Sequence, residues 1–307
     1  MKKKIIIISL WFVFSVCYIF LDLYRIDFIS LRLNIWIQMT ITAFVLASTG
    51  AILQSILQNP IADPWLLGVS GASNLGTVII SLLQLTPILF WRTTGALIGS
   101  IIAISFLFVV AKRSFNFNVS RFILIGIGVN SFCTSLIMFL QSFIAPNDFF
   151  TTLVRTSGYF VQRSFVELTI LFAVLLLLTG YLYLRNKELN ILSVGDELAA
   201  SVGVPIQQIK LEVIIVCTIA LAMVVSISGS IGFIGLATPH IVRLIFGEKE
   251  VLSMEILFSV SGILIISAAF LVRLLPDGTF VPIGSAMSLL GAPMFIYILT
   301  RNTRLSN

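Results

Sequence analysis

Charge is what this sequence has least of. Only 10% of its 307 residues are Asp, Glu, Lys or Arg, against roughly 25% in soluble domains. Histidine occurs once, at His240. Without a second His, Cys or carboxylate at ligand spacing it does not read as a metal site. Cysteine occurs three times, at Cys17, Cys133 and Cys217, each far from the others in an apolar run. That spacing excludes a disulfide framework, and the three read as small apolar packers. No GxxxxGK[ST] occurs, so the chain is not expected to hydrolyse ATP itself. Paired carboxylates and an activated nucleophile are also missing, which removes the case for a membrane-embedded enzyme.

What is abundant is hydrocarbon. Hydrophobic residues make up 58% of the chain and mean hydropathy is +1.10. A soluble core needs far less, so lipid is the expected solvent. Ten apolar segments can be laid out, at about 5–21, 35–57, 66–85, 92–111, 122–144, 164–184, 209–228, 230–246, 252–275 and 282–300. About 20 residues cross a bilayer, so the fold class is an all-α polytopic membrane protein of about ten helices. Residues 1–307 then form one transmembrane domain, with no separate soluble domain. The basic start, MKKKIIII, resembles a signal peptide but lacks a small-residue cleavage site, and it reads as a retained first helix.

The net charge of +6 does not indicate a nucleic-acid partner, because the cations sit at segment ends and not in one stripe. With a cytoplasmic N-terminus and an even number of spans, 13 Lys and Arg fall inside and 6 outside. That bias places both termini in the cytoplasm of a multi-pass inner-membrane protein.

Two stretches break the apolar pattern. One is residues 229–247, GSIGFIGLATPHIVRLIFG; the other is residues 48–76, STGAILQSILQNPIADPWLLGVSGASNLG. Gly lowers helix stability by about 1 kcal/mol against Ala, and Pro by about 3. Breaks of this kind persist at membrane depth only where they are buried in protein or line a cavity. One such region in each half of the chain is a pointer to an internally repeated transporter fold. The seventh and eighth segments meet at Ser228-Gly229 with no polar loop, so one of them is expected to be short, tilted or broken. Asp63 is expected to cap the turn that follows it. No charge stands at the middle of a segment, which argues against a proton-coupled carrier.

The longest polar stretch between segments, 185–210, contains LSVGDELAASVGVP at 192–205. Gly195, Asp196 and Glu197 resemble a helix start, acids suiting the positive helix end. Gly203 and Pro205 stop it. A two-turn amphipathic helix is not stable unless it docks on something.

These stretches together resemble the FecCD-type permeases, the membrane subunits of ABC importers for iron-siderophores, haem and vitamin B12. The resemblance rests on Thr49-Gly50-Ala51, Gln54, Asn59-Pro60-Ile61-Ala62-Asp63-Pro64, Leu67-Gly68 and Gly71-Ala72 in the first break. It continues with Val194-Gly195, Ala199 and Val202-Gly203-Val204 in the loop. Gly229, Ile231, Phe233, Gly235-Leu236, Pro239-His240 and Arg243 follow, then Pro282, Gly284, Gly291-Ala292-Pro293 and Phe295. It covers nearly the whole chain.

The resemblance implies a type II importer permease of about ten helices, like the vitamin B12 permease, dimerising around a central path. The second copy would be identical or a related permease. Two copies of an ABC ATPase would dock on the cytoplasmic side, where ATP and Mg are consumed, and a substrate-binding protein outside. No cofactor would be bound by this chain. The coupling helix would comprise Gly195, Asp196, Glu197, Ala199, Ala200, Gly203 and Val204. The translocation path and its broken helices would involve Gln54, Asn59, Pro60, Gly68, Gly71, Gly232, Gly235 and Pro239.

Arg32 and Arg273 would meet acidic residues of the binding protein. The sequence departs from the family there: Arg32-Leu33-Asn34-Ile35 lacks a second arginine, Ala269 replaces an aspartate, and Phe280 replaces a glutamate. The cargo implied is a ferric siderophore, with haem or cobalamin as the other chelates. The competing reading is a stand-alone secondary transporter of a small solute.

Overall fold

Apolar helices of twenty residues or so have one way to satisfy their backbone in hydrocarbon, which is to span it and pack on each other. A computed structural model describes residues 2–20, 29–83, 88–112, 119–143, 156–276 and 281–302. Among them are α1 (Lys2–Phe20), α2 (Ile29–Ile56), α3 (Val69–Leu82), α4 (Ile88–Lys112), α5 (Val119–Gln141) and α6 (Phe165–Leu184). Two short helices follow, α7 (Asn186–Val194) and α8 (Asp196–Ser201), then α9 (Ile206–Ser228), α10 (Ile234–Phe246), α11 (Met254–Arg273) and α12 (Ile283–Asn302). Seven of the described helices are long and apolar enough to cross a membrane, and α3, α10 and the Ile283–Met294 part of α12 are shorter apolar helices. The ten segments expected from hydropathy are thus met by ten apolar helices. Phe280 lies outside the described residues, as do Arg25, Arg113, Arg155 and Arg304 of the charge count.

The hub is α2. From Gln38 to Ile56 every one of its residues is buried, so no face is left for lipid; a helix apolar all round belongs in a core. It is packed by α1, α6, α9, α10 and α11. The opposite case is α1, where Ile5, Ile6 and Phe12 are more than half exposed. It rests on α11 through Trp11, whose indole occupies the space left by the absent side chain of Gly262 and stacks edge-on against Phe258. Where α2 crosses α10, a Cβ on Gly50 would collide with the backbone of Gly235. Contact this close is open only to glycine and is characteristic of small-residue helix crossings in membranes.

The expected irregularity between the seventh and eighth segments is a clean break. α9 ends at Ser228, Gly229 turns at φ 75°, and α10 restarts only at Ile234. With 13 residues, α10 is about 20 Å long at 1.5 Å per residue, short of the ~30 Å hydrocarbon core. Pro239 is not at this break. It lies inside α10, which runs through it without interruption. The other break holds Asp63, whose Oδ1 accepts from the Trp65 backbone N–H at 3.0 Å and caps the turn Pro64–Leu67.

The loop between α6 and α9 holds more structure than its composition indicated. The stretch NKELNILSV forms α7, although its polar residues read as loop, because Leu189 and Leu192 are 1% and 0% exposed against the bundle.

Candidate translocation and coupling sites

Broken helices leave backbone groups that need partners. At the α9–α10 break the Ser230 N–H donates to Thr156 O at 3.1 Å, and at the start of α12 the Gly284 N–H donates to Gly158 O at 3.0 Å. Three chain segments are therefore laced together by main chain at one point. Asn74 of α3 adds a fourth, its Nδ2 donating to the same Thr156 O at 3.3 Å. Phe233 holds a left-handed backbone at φ 67°. Non-glycine residues in that region cost of order 1–3 kcal/mol and cluster at functional sites. The absence of a side chain at Gly291 leaves the room its ring occupies.

These groups wall a cavity of about 510 Å³ between α3, α5, the break and α12. Its lining is mixed: Asn74, Asn130, Thr134, Gln141, Ser230 and Ser288 supply amides and hydroxyls, Asp63 a carboxyl, and Trp65, Ile137, Met138, Phe233 and Leu236 apolar surface. Of the expected path residues, Gly71 and Gly232 line it. Asn130 is 4% exposed and its Oδ1 has no hydrogen-bond partner, a state costing about 1–3 kcal/mol unless water or cargo satisfies it. Asn130, Thr134 and Gln141 were not among the sequence candidates. The signal in the sequence is the amide and hydroxyls that interrupt the apolar run of α5 at VNSFCTS.

Gln54, Asn59 and Pro60 line a different cavity, of about 720 Å³, at the C-terminal end of α2 with Asn190, Ser193 and Arg243. Gln54 is 2% exposed and works as a clamp. Pro239 has no N–H to give to Gly235 O, its partner one helical turn back. Gln54 Nε2 donates to that carbonyl instead at 3.3 Å, while its Oε1 accepts from Arg243 Nη1. Arg243 Nε in turn donates to Glu248 at 3.1 Å. The proline thus creates the acceptor that fixes α2 to α10. Gly68 and Gly235 face neither cavity; they sit at close approaches to α5 and α2.

The loop helix α8 is held on one side and bare on the other. Lys210 Nζ pairs with Asp196 Oδ2 at 2.6 Å, and Gln58 Nε2 reaches Asp196 Oδ1 at 3.5 Å. Ala199 is fully buried. The end of the helix is closed by Gly203, at φ 81°, whose N–H donates to Ala200 O, and by the Val204 N–H, which donates to Ala199 O. Away from the bundle, Leu198 is 48% and Val202 62% exposed, beside the exposed Glu197 and Ala200.

At the far ends of the spans, Arg32 Nη1 donates to Ile19 O and Arg273 Nη1 to Tyr18 O, both at 3.3 Å, and the Arg273 guanidinium lies 4.1 Å over the Tyr18 ring. Both cations thus stand at the negative C-terminal end of α1. Asn34, where the family motif departs, exchanges two hydrogen bonds with the Arg163 backbone at 3.0 and 2.9 Å. It pins the irregular segment leading into α6. Among the described residues no group of three His, Cys, Asp or Glu gathers as a metal site.

A polytopic helical bundle with a broken-helix cavity and a loop helix bare on one face has the architecture of a membrane transport protein. The chain belongs to the FecCD transport family, whose profile matches residues 5–301. It is 30% identical to the hemin transport system permease protein HmuU of Yersinia pestis over 89% of this chain and 83% of that protein. It is 28% identical to the iron-uptake system permease protein FeuC of Bacillus subtilis, over 92% of this chain and 87% of the relative. Its fold matches that of a solved metal-chelate type ABC transporter in an inward-facing conformation, with a TM-score of 0.86, 23% identity and coverage of 98% and 99% of the two chains.

Proposed function

We propose that this chain is the permease subunit of an ABC importer for an iron chelate, with a ferric siderophore as cargo. One observation supports this reading above others. α8 carries an exposed apolar face and an acidic first turn, yet it is locked to the bundle by Asp196–Lys210 and Ala199. A stand-alone carrier has no use for a rigidly mounted apolar knob in the aqueous phase; a subunit pushed by a separate ATPase does. The hemin and iron-uptake systems named for its relatives supply the substrate class.

In this reading α8 faces the cytoplasm, as do both termini, and two ATPase copies bind there and consume ATP and Mg. Their closure moves α8. Lys210 at the foot of α9 then carries the movement along that helix to the break at Gly229–Phe233, which borders the polar cavity. Two permease copies, identical or related, enclose the path, and a substrate-binding protein delivers cargo at the opposite face near Arg32 and Arg273. Amide and hydroxyl groups in the cavity wall, with the carboxyl of Asp63 beside them, can hydrogen-bond a chelate whose metal is already held by its own ligands.

The test is uptake by a strain lacking this gene, offered labelled ferric siderophores, haem and cobalamin one at a time. Selective loss of siderophore uptake is expected, restored by the intact gene but not by Gly203→Pro, which cannot adopt φ 81°. Loss of haem or cobalamin uptake instead would reassign the cargo. Unchanged uptake of all three would overturn the chelate reading.

A further inference from the structure

A third cavity shares no lining residue with the other two, and its chemistry is different. It is a groove of about 730 Å³ between α3, α4 and α5. Its floor is the contact between Gly76 and Gly95, where a Cβ on either glycine would strike the other helix. Its rim includes Ile98, Ile102, Phe106 and Phe132, each more than half exposed. No charged or amide side chain lines it.

Two observations identify the occupant. The first is length. From Gly95 to Phe106 the groove follows α4 for roughly 16 Å at 1.5 Å per residue, which matches about 15 Å for one leaflet of a ~30 Å hydrocarbon core. The second is the mouth. Arg92 stands one helical turn beyond Gly95, and its Nε donates to Ser81 Oγ of α3 at 3.1 Å, which fixes the guanidinium between the two helix ends. Trp91 lies beside it, partly exposed, as aromatic residues do at the membrane interface.

We propose that this groove is a phospholipid site, with an acyl chain lying along Gly95–Phe106 and an anionic headgroup against Arg92. The lipid completes the surface of α4 and α5, which otherwise touch each other little.

Gly128 allows a clean test. It lines the groove, and a Cβ built on it meets nothing within 4 Å. Gly128→Leu therefore projects into the groove from a position where the added Cβ meets nothing, and an unchanged thermal midpoint in detergent verifies the fold. The full chain would be purified from bilayers of mixed phosphatidylglycerol and phosphatidylcholine, and retained lipid counted by native mass spectrometry. Wild type is expected to keep phosphatidylglycerol in preference, Gly128→Leu to lose it, and Arg92→Gln to keep lipid with the preference reduced about fivefold. Equal phosphatidylglycerol occupancy in wild type and Gly128→Leu would overturn the site, as would equal retention of the two lipids by wild type. Loss of chain–chain association in Gly128→Leu with unchanged lipid would overturn it in favour of a protein contact.

Discussion

Asp63 shows how much one buried group can decide. It is placed by an Asn-Pro turn after α2, and its carboxylate caps the next turn. Burial pushes its pKa up from 3.8 to about 6, with the Trp65 N–H acting weakly in the other direction. The folded state therefore prefers the proton more than the unfolded chain does. Its contribution is fully present below about pH 3.8 and is lost as pH rises through about 6. Asp63→Asn keeps an acceptor for Trp65 and removes the titration. In thermal melts from pH 4 to 7, the wild type should lose stability relative to Asp63→Asn across that interval, by an amount on the order of 3 kcal/mol at neutral pH. Parallel melting curves for the two proteins would show that Asp63 stays ionised at no cost. The capping role was readable in the Asp-Pro pair; the displaced pKa was not, because burial depends on α5 and α10, far away in sequence.

At the scale of elements, the contact of α2 with α10 joins two features that look unrelated in the chain. Pro239 removes one N–H from α10, and Gln54, 185 positions earlier by their numbers, supplies the missing donor while holding Arg243. The family resemblance marked both residues as parts of the path and its broken helices. Their actual relation needed coordinates, since the acceptor is a backbone carbonyl that no motif records. Gln54→Leu keeps the volume approximately and strands both Gly235 O and the Arg243 guanidinium. The expected cost is about 1–3 kcal/mol for the buried carbonyl alone, visible as a lower melting temperature in detergent. Gln54→Glu should fall between the two, because it still accepts from Arg243 but cannot donate to Gly235. A melting temperature for Gln54→Leu equal to wild type would mean that water serves the carbonyl as well as the amide does.

For the molecule as a whole, hydropathy was sufficient to find ten apolar helices, because hydrocarbon is an unforgiving solvent and leaves little choice of architecture. It was also sufficient to find the broken pair at Ser228-Gly229, where φ 75° demands glycine. It failed at α7, whose stability comes from two leucines docking on α2 and not from its own composition. It missed Asn130 and Gln141, whose meaning lies in facing a cavity. α8 lies between these cases: caps and stop residues were legible, while the division into a buried Ala199 and a bare Leu198–Val202 face was not. That division separates folding from assembly and so can be tested directly. Leu198→Asp places charge on the bare face, at a side chain 48% exposed, whereas Ala199→Asp would bury a charge against the bundle. Leu198→Asp should therefore leave the melting temperature of the isolated permease unchanged, while co-purified ATPase falls severalfold and uptake falls with it. Glu197→Lys, on the same face, should act in the same direction, since it reverses the charge offered to the partner. Retention of the ATPase by both variants at wild-type levels would mean that α8 is an ordinary loop helix, and that force enters the permease elsewhere.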